Sequence, residues 1–142
     1  MLLTDLFEVK FMNHKRYQKP IMFLISKIKH FETDNDQNKA LIDEYMNLIK
    51  GKENLSVYLD LTSFDTVSLQ SVWEGISEIT FYDDIIARSI KQECMLLVNE
   101  NIISITNKLL KIHKPIFRFK IVTNEKDGIK FLSEGMENGF QK

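Results

Sequence analysis

The sequence is poor in residues that crosslink a chain, interrupt its secondary structure or carry it across a membrane. It has one cysteine, Cys94, so no disulfide can form within these 142 residues. Two prolines and five glycines exclude collagen-like or low-complexity character. No apolar run approaches the roughly 18 residues that a membrane-spanning helix needs. We therefore expect a single domain over 1–142, held by packing and without an integral membrane segment.

An excess of one charge sign is also missing. The 19 Lys and Arg residues nearly balance the 20 Asp and Glu residues, which leaves a net charge of −1. Such a chain has no global attraction to nucleic acid, so we expect no nucleic-acid partner. The N-terminal residues reach Asp5 without a basic start and an apolar stretch, and this absence of a secretory signal predicts a cytoplasmic protein.

Apolar periodicity predicts strands that alternate with helices. Short apolar runs indicate strands at 21–25, 55–61, 94–98 and 116–122, the last of them at an edge. Helical spacing indicates a helix that stops near Gly51, one long helix or two abutting helices from 68 to 90, and helices over 102–112 and 129–136. Because such strands need crossover connections, the predicted fold class is α/β with a mostly parallel sheet of four to five strands.

Residues that could catalyse a reaction or bind a metal do not form a recognisable set. His14, His30 and His113 do not pair with one another at the spacing of metal ligands on a helix. Cys94 opens an apolar strand, where a thiol behaves as a small inert hydrophobe. We therefore expect no metal, no cofactor and no enzymatic activity.

The helix that starts near Ser68 carries two candidate sites. Thr66 and Ser68 precede its first turn, where a hydroxyl serves first as a cap and where an added phosphate meets free backbone N–H groups. Both are candidate phosphoacceptors, although Asp65 beside them disfavours added negative charge. The second candidate is an apolar groove between this helix and the sheet. Its candidate lining residues are Trp73, Ile76, Phe81 and Tyr82.

Several segments resemble the SpoIIAA-like branch of the STAS superfamily over about residues 21–133. They are 61–74, 94–99, 105–110, 117–122 and 127–132, and the most specific piece joins Ser68-Leu69 to Trp73-Glu74. The resemblance implies a small cytoplasmic domain with its helices mainly on one face of the sheet. By similarity to anti-sigma-factor antagonists, it implies that Thr66 takes the place of a residue that a partner kinase phosphorylates. The branch is also similar in fold to lipid-carrying CRAL-TRIO domains.

Three functions follow from these observations. The first is a non-catalytic regulatory module of STAS type that binds a protein partner and is switched at Thr66 or Ser68. The second is a domain that binds an apolar ligand or lipid, with five basic residues facing anionic lipid, namely Lys108, Lys111, Lys114, Arg118 and Lys120. The third follows from a weaker resemblance of 15–25 and 84–88 to diguanylate cyclase domains. Lysines 27 and 29 replace its metal-binding acids, so such a domain would be non-catalytic.

Overall fold

The computed structural model describes residues 2–138, which form seven strands and six helices. The strands are β1 (Phe7–Asn13), β2 (Pro20–Ser26), β3 (His30–Phe31), β4 (Leu55–Asp60), β5 (Thr66–Val67), β6 (Ile90–Leu96) and β7 (Arg118–Val122). The helices are α1 (Leu3–Leu6), α2 (Asn35–Ile49), α3 (Leu69–Ile79), α4 (Asp83–Ser89), α5 (Glu100–Ile112) and α6 (Glu125–Glu137). A 3₁₀ turn, Thr80–Tyr82, joins α3 to α4.

The central sheet has five strands in the order β1-β2-β4-β6-β7. Strands β2, β4, β6 and β7 run parallel, while β1 pairs antiparallel with β2. The mostly parallel α/β sheet is therefore confirmed, with β7 at one edge as the sequence predicts. The antiparallel strand β1 at the other edge was not predicted. A separate pair of two-residue strands, β3 and β5, lies outside this sheet.

The helical segment from 68 to 90 is two helices, one of the two predicted alternatives, because the chain tightens into the 3₁₀ turn before Asp83 starts α4. Strand β6 begins at Ile90 and not at Cys94. The earlier start places Gln92 and Glu93 inside the sheet, on opposite faces of the same strand.

Helix α6 alone covers one face of the sheet, over a buried polar network centred on Gln92. The Gln92 side chain is fully buried, and its Nε2 donates to Ser56 Oγ and to the Leu132 carbonyl, both at 2.8 Å. Its Oε1 accepts from Arg118 Nη1 at 2.7 Å. The guanidinium also lies 3.6 Å from the centre of the Phe131 ring. Every polar group of Gln92 therefore has a partner, which fixes α6 on the sheet.

Two glycines let α6 approach this network closely. A Cβ on Gly128 would lie 3.1 Å from Tyr58 Cε2. A Cβ on Gly135 would overlap Gln92 Oε1 and lie 2.7 Å from its Cδ. Both glycines are buried within a helix, where glycine is otherwise unfavourable. Close contact with the sheet therefore explains their presence.

The other helices that pack on the sheet lie on the face opposite α6. About half of this face is closely packed. Helices α2 and α4 cover β2 and β4 there with side chains that are almost inaccessible to solvent, among them Met22, Ile49, Val57 and Ile86. Helix α3 packs against α2. The structure thus has helices mainly on one face of the sheet, as the resemblance implies.

We expect Gly135→Ala to destabilise the fold by roughly 1–3 kcal/mol, because the new methyl group meets the Gln92 and Arg118 side chains. Gly75→Ala on α3 is the matched control, since its nearest neighbour would be Asn38 Oδ1 at 3.8 Å. That change should stabilise the protein by up to about 1 kcal/mol through helix propensity. Urea denaturation measures both values, and equal effects of the two changes would contradict the close packing of α6.

Candidate functional site

A cavity of about 450 Å³ lies between the sheet and helices α2, α3 and α5. This volume falls within the roughly 300–1,000 Å³ of small-molecule pockets. Its walls are mainly aliphatic and aromatic, as in most ligand pockets. The sheet contributes Leu59, Met95 and Phe119, helix α3 contributes Val72, Ile76 and Ile79, and helix α5 contributes Ile105, Leu109 and Leu110.

The cavity exists because α3 is attached to α2 by buried hydrogen bonds. The Thr33 N–H donates to Ser71 Oγ at 2.8 Å, and the Ser71 hydroxyl donates back to the Thr33 carbonyl at 2.8 Å. Thr33 Oγ1 donates to Asn38 Oδ1, and Asn38 Nδ2 donates to the Ser71 carbonyl. The three bonds to Ser71 hold the starts of α2 and α3 together, and the bond between Thr33 and Asn38 fixes the two partners of Ser71.

The apolar stripe of α3 consequently lacks close-packed neighbours. Ser71 is the only buried residue of this helix, whereas Val72, Ile76 and Ile79 are half-buried. An amphipathic helix usually buries such a stripe against the core. Here the stripe faces the cavity, so it would gain contacts from an apolar molecule placed there.

Glu93 lies on the cavity face of β6, with Val57 of β4 and Phe119 of β7 directly beside it. Within residues 2–138 its carboxyl makes no hydrogen bond and no ion pair. Burial raises the pKa of Glu93 from its ordinary 4.5 to about 8. The side chain is nevertheless half-accessible, because the space beside it is the cavity. At neutral pH the cavity therefore contains a mainly neutral carboxylic acid.

Tyr45 of α2 lines the same cavity. Burial raises its pKa well above the usual value, and the negative charge on Glu93 raises it further. Its hydroxyl also has no hydrogen-bond partner in the described part of the chain. Two polar groups without partners thus face an otherwise apolar space.

The opening of the cavity lies near the start of β7. Three of the residues that line the cavity are exposed, namely Asp83, Lys114 and Ile116. His113 lines the cavity next to them, and its ring meets the Trp73 ring edge-on at 5.3 Å. The Trp73 side chain thereby connects α3 to the end of α5 beside this opening.

The predicted groove residues do not share one surface. Ile76 lines the cavity, and Trp73, 40% exposed, lies at its edge. Phe81 is 82% exposed in the 3₁₀ turn, and the Tyr82 hydroxyl donates to Asp43 Oδ1 at 3.2 Å. A binding role for these four residues stays a prediction, and only Ile76 is part of the cavity wall.

The two candidate phosphoacceptors differ in exposure. Thr66 is exposed in β5, and its Oγ1 lies 2.5 Å from His30 Nδ1. Ser68 is half-buried and caps α3, where its Oγ accepts from the Ser71 N–H at 3.3 Å. Phosphorylation of either residue stays a prediction.

Other polar residues occupy structural positions. Cys94 is fully buried, as predicted, and burial raises its pKa to about 12. His14 Nε2 lies 2.9 Å from Ser133 Oγ. In the described residues no three His, Cys, Asp or Glu side chains are placed to hold a metal ion. The expected basic face for lipid needs a correction at Arg118, whose guanidinium is directed inward to Gln92.

Sequence reasoning missed Glu93. The predicted strand starts at Cys94, where the continuous apolar run begins, so the acid falls outside it. A signal was present, because apolar or amide side chains alternate with charged ones from Ile90 to Cys94. That alternation extends the strand upstream and places Glu93 on the face that carries Met95.

A second depression, of about 800 Å³, lies between the end of α2 and α4. Most of its lining side chains are exposed, including Lys50, Glu53 and Arg88. It is a feature of the outer surface, whereas the first cavity opens to solvent but is lined mainly by buried and half-buried side chains.

Comparisons with known proteins show a likeness in structure. No protein-family model and no curated protein matches this sequence. The solved structure of an uncharacterized DUF3478-family protein from Shewanella loihica PV-4, described as SpoIIAA-like, aligns with a TM-score of 0.55. The alignment covers 89% of this chain and 93% of the other, at 14% identity. The chain has a SpoIIAA-like fold. At this identity the likeness shows the fold alone, and it confirms the predicted resemblance and fold class.

Between residues 2 and 138, no helix of this SpoIIAA-like structure is long and apolar enough to span a membrane.

Glu93 should make the stability of this SpoIIAA-like domain depend on pH. Between pH 4.5 and 8 the folded protein keeps a proton that the unfolded chain releases. The free energy of unfolding should therefore fall by about 1 kcal/mol per pH unit across this window. Glu93→Leu should remove that part of the slope, whereas Glu53→Leu, which removes an exposed acid, should not. Urea denaturation at several pH values measures the slopes, and parallel curves for wild type and Glu93→Leu would contradict the burial of this acid.

Proposed function

We propose that this protein is a non-catalytic module that binds an apolar small molecule in the cavity between α3, α5 and the sheet. The observation that carries the proposal is the preformed cavity of about 450 Å³ with mainly apolar walls. The SpoIIAA-like fold supports a STAS-type module. The site supports ligand binding as the activity of that module.

The apolar walls of the cavity support an apolar occupant. Water gains few hydrogen bonds from apolar walls. An apolar ligand would recover both transfer and packing free energy.

The polar groups of the cavity also favour binding over chemistry. Away from the opening, Glu93 and Tyr45 are the described lining groups that lack hydrogen-bond partners within the fold. A single buried acid beside a phenol can orient a ligand through hydrogen bonds. We therefore assign these two side chains to recognition.

Filling the cavity should abolish binding. Ile76→Trp places a large ring in the cavity, whereas Ile112→Trp makes the same change at a site on α5 that is 63% exposed. We expect wild type and Ile112→Trp to bind the apolar dye Nile red, with enhanced fluorescence. Ile76→Trp should bind it at least about tenfold more weakly, a change of about 1.4 kcal/mol. Equal dye binding by all three proteins would overturn the proposal, and circular dichroism checks that Ile76→Trp is folded.

A second candidate function is a protein-binding switch at Thr66. The exposure of Thr66 supports it, because a kinase can reach this hydroxyl directly before α3. Mass spectrometry of the protein isolated from its own cells should then find phosphate on Thr66 in preference to Ser68, whose hydroxyl caps the helix. Isolated protein without phosphate at either position under all growth conditions would contradict this second function.

A further inference from the structure

Hydrogen bonding separates the polar groups of the cavity into two sets. Asn38, Ser71 and Thr106 have partners within the chain, since Asn38 and Ser71 belong to the cluster that joins α2 to α3 and Thr106 Oγ1 donates to the Ile102 carbonyl at 2.7 Å. Glu93 and Tyr45 have no partner in the described residues. In the described residues no side-chain N or O atom is both inaccessible to solvent and without a partner, so the oxygens of Glu93 and Tyr45 are accessible from the cavity. A ligand in the cavity can therefore replace water as their hydrogen-bond partner.

We infer that the ligand is a neutral amphiphile whose hydroxyl head group bonds to Glu93 and Tyr45 while its hydrocarbon part fills the space under α3 and α5. This inference rests on the proposed function. A hydroxyl both donates and accepts, so it can satisfy a carboxylic acid and a phenol together. The hydrocarbon part would contact the aliphatic side chains of Ile76, Met95 and Leu109.

The charges around the cavity favour a hydroxyl over a charged head group. The charged lining residues other than Glu93 are Asp83 and Lys114, both at the opening, and the titratable His113 lies next to them. Helices α3 and α5 contribute no charged side chain to the lining. A carboxylate head group would therefore compete with Glu93 for one proton, and an ammonium group would have to lose its hydration shell. A hydroxyl requires neither.

Four eight-carbon probes test this inference: octanol, octylamine, octanoate and octane, each measured by displacement of Nile red at pH 7. Wild type should bind octanol roughly tenfold more tightly than octane, because one or two hydrogen bonds to the hydroxyl increase the affinity by about that factor. Glu93→Leu, which leaves only the Tyr45 hydroxyl as a partner, should reduce this preference to roughly threefold while keeping its affinity for octane. Glu93→Gln, which keeps a side chain able to donate and accept, should retain most of the preference for octanol.

Different results would contradict the hydroxyl head group and the proposed function. Equal affinity of wild type for octanol and octane, or tightest binding of octylamine or octanoate, would overturn the hydroxyl head group and leave an apolar ligand in place. Failure of all four probes to displace the dye would overturn ligand binding itself. An undiminished tenfold preference for octanol in Glu93→Leu would show that Glu93 does not recognise the head group.

Discussion

The position of helix α3 depends on one buried cluster of hydrogen bonds. Thr33, Asn38 and Ser71 satisfy one another's polar groups where α2 and α3 begin, at distances of 2.6 to 3.2 Å. If α3 moved over β6 and β7 to close the cavity, these groups would lose their partners in an environment that water does not reach. The cluster therefore stabilises an arrangement in which an apolar stripe stays without close-packed neighbours.

The two faces of the sheet show two solutions to the same packing problem. On the α6 face, Gly128 and Gly135 remove the side chains that would keep the helix away, and Gln92 finds a partner for each of its polar atoms. On the other face, Glu93, the next residue along the same strand, finds none. Close packing stabilises the first face. The second gives up part of that stability for a space that a ligand can occupy, as functional sites often do.

Most of the fold could be predicted from the sequence, because the periodicity of hydrophobic residues indicates helices and strands well. The apolar runs that contain Ile21 and Val57 and the helical stripe through Ile102 and Leu109 each correspond to an element of the structure. Strand β1 escaped prediction because its edge position leaves most of its side chains exposed, so its apolar pattern is weak.

The candidate site was less predictable. The periodicity of apolar residues indicates which side of a helix is apolar, but it does not indicate what packs against that side. The stripe through Ile76 could have met either a packed core or a void. The distance between α3 and the sheet depends on the hydrogen bonds of Ser71 to Thr33 and Asn38, which are distant from it in the sequence. Phe81, which follows Trp73 further along the chain, is predicted to line the groove, but it lies in the 3₁₀ turn and is 82% exposed.

The most direct test of the account locates a bound molecule in the cavity. Protein with isotopically labelled Ile, Leu and Met methyl groups can be mixed with unlabelled octanol, and intermolecular nuclear Overhauser effects recorded. The account expects contacts from the octyl chain to the methyl groups of Ile76, Met95 and Leu109, which line the cavity, and none to exposed Ile112. Contacts confined to exposed methyl groups, or no contacts at saturating octanol, would contradict it.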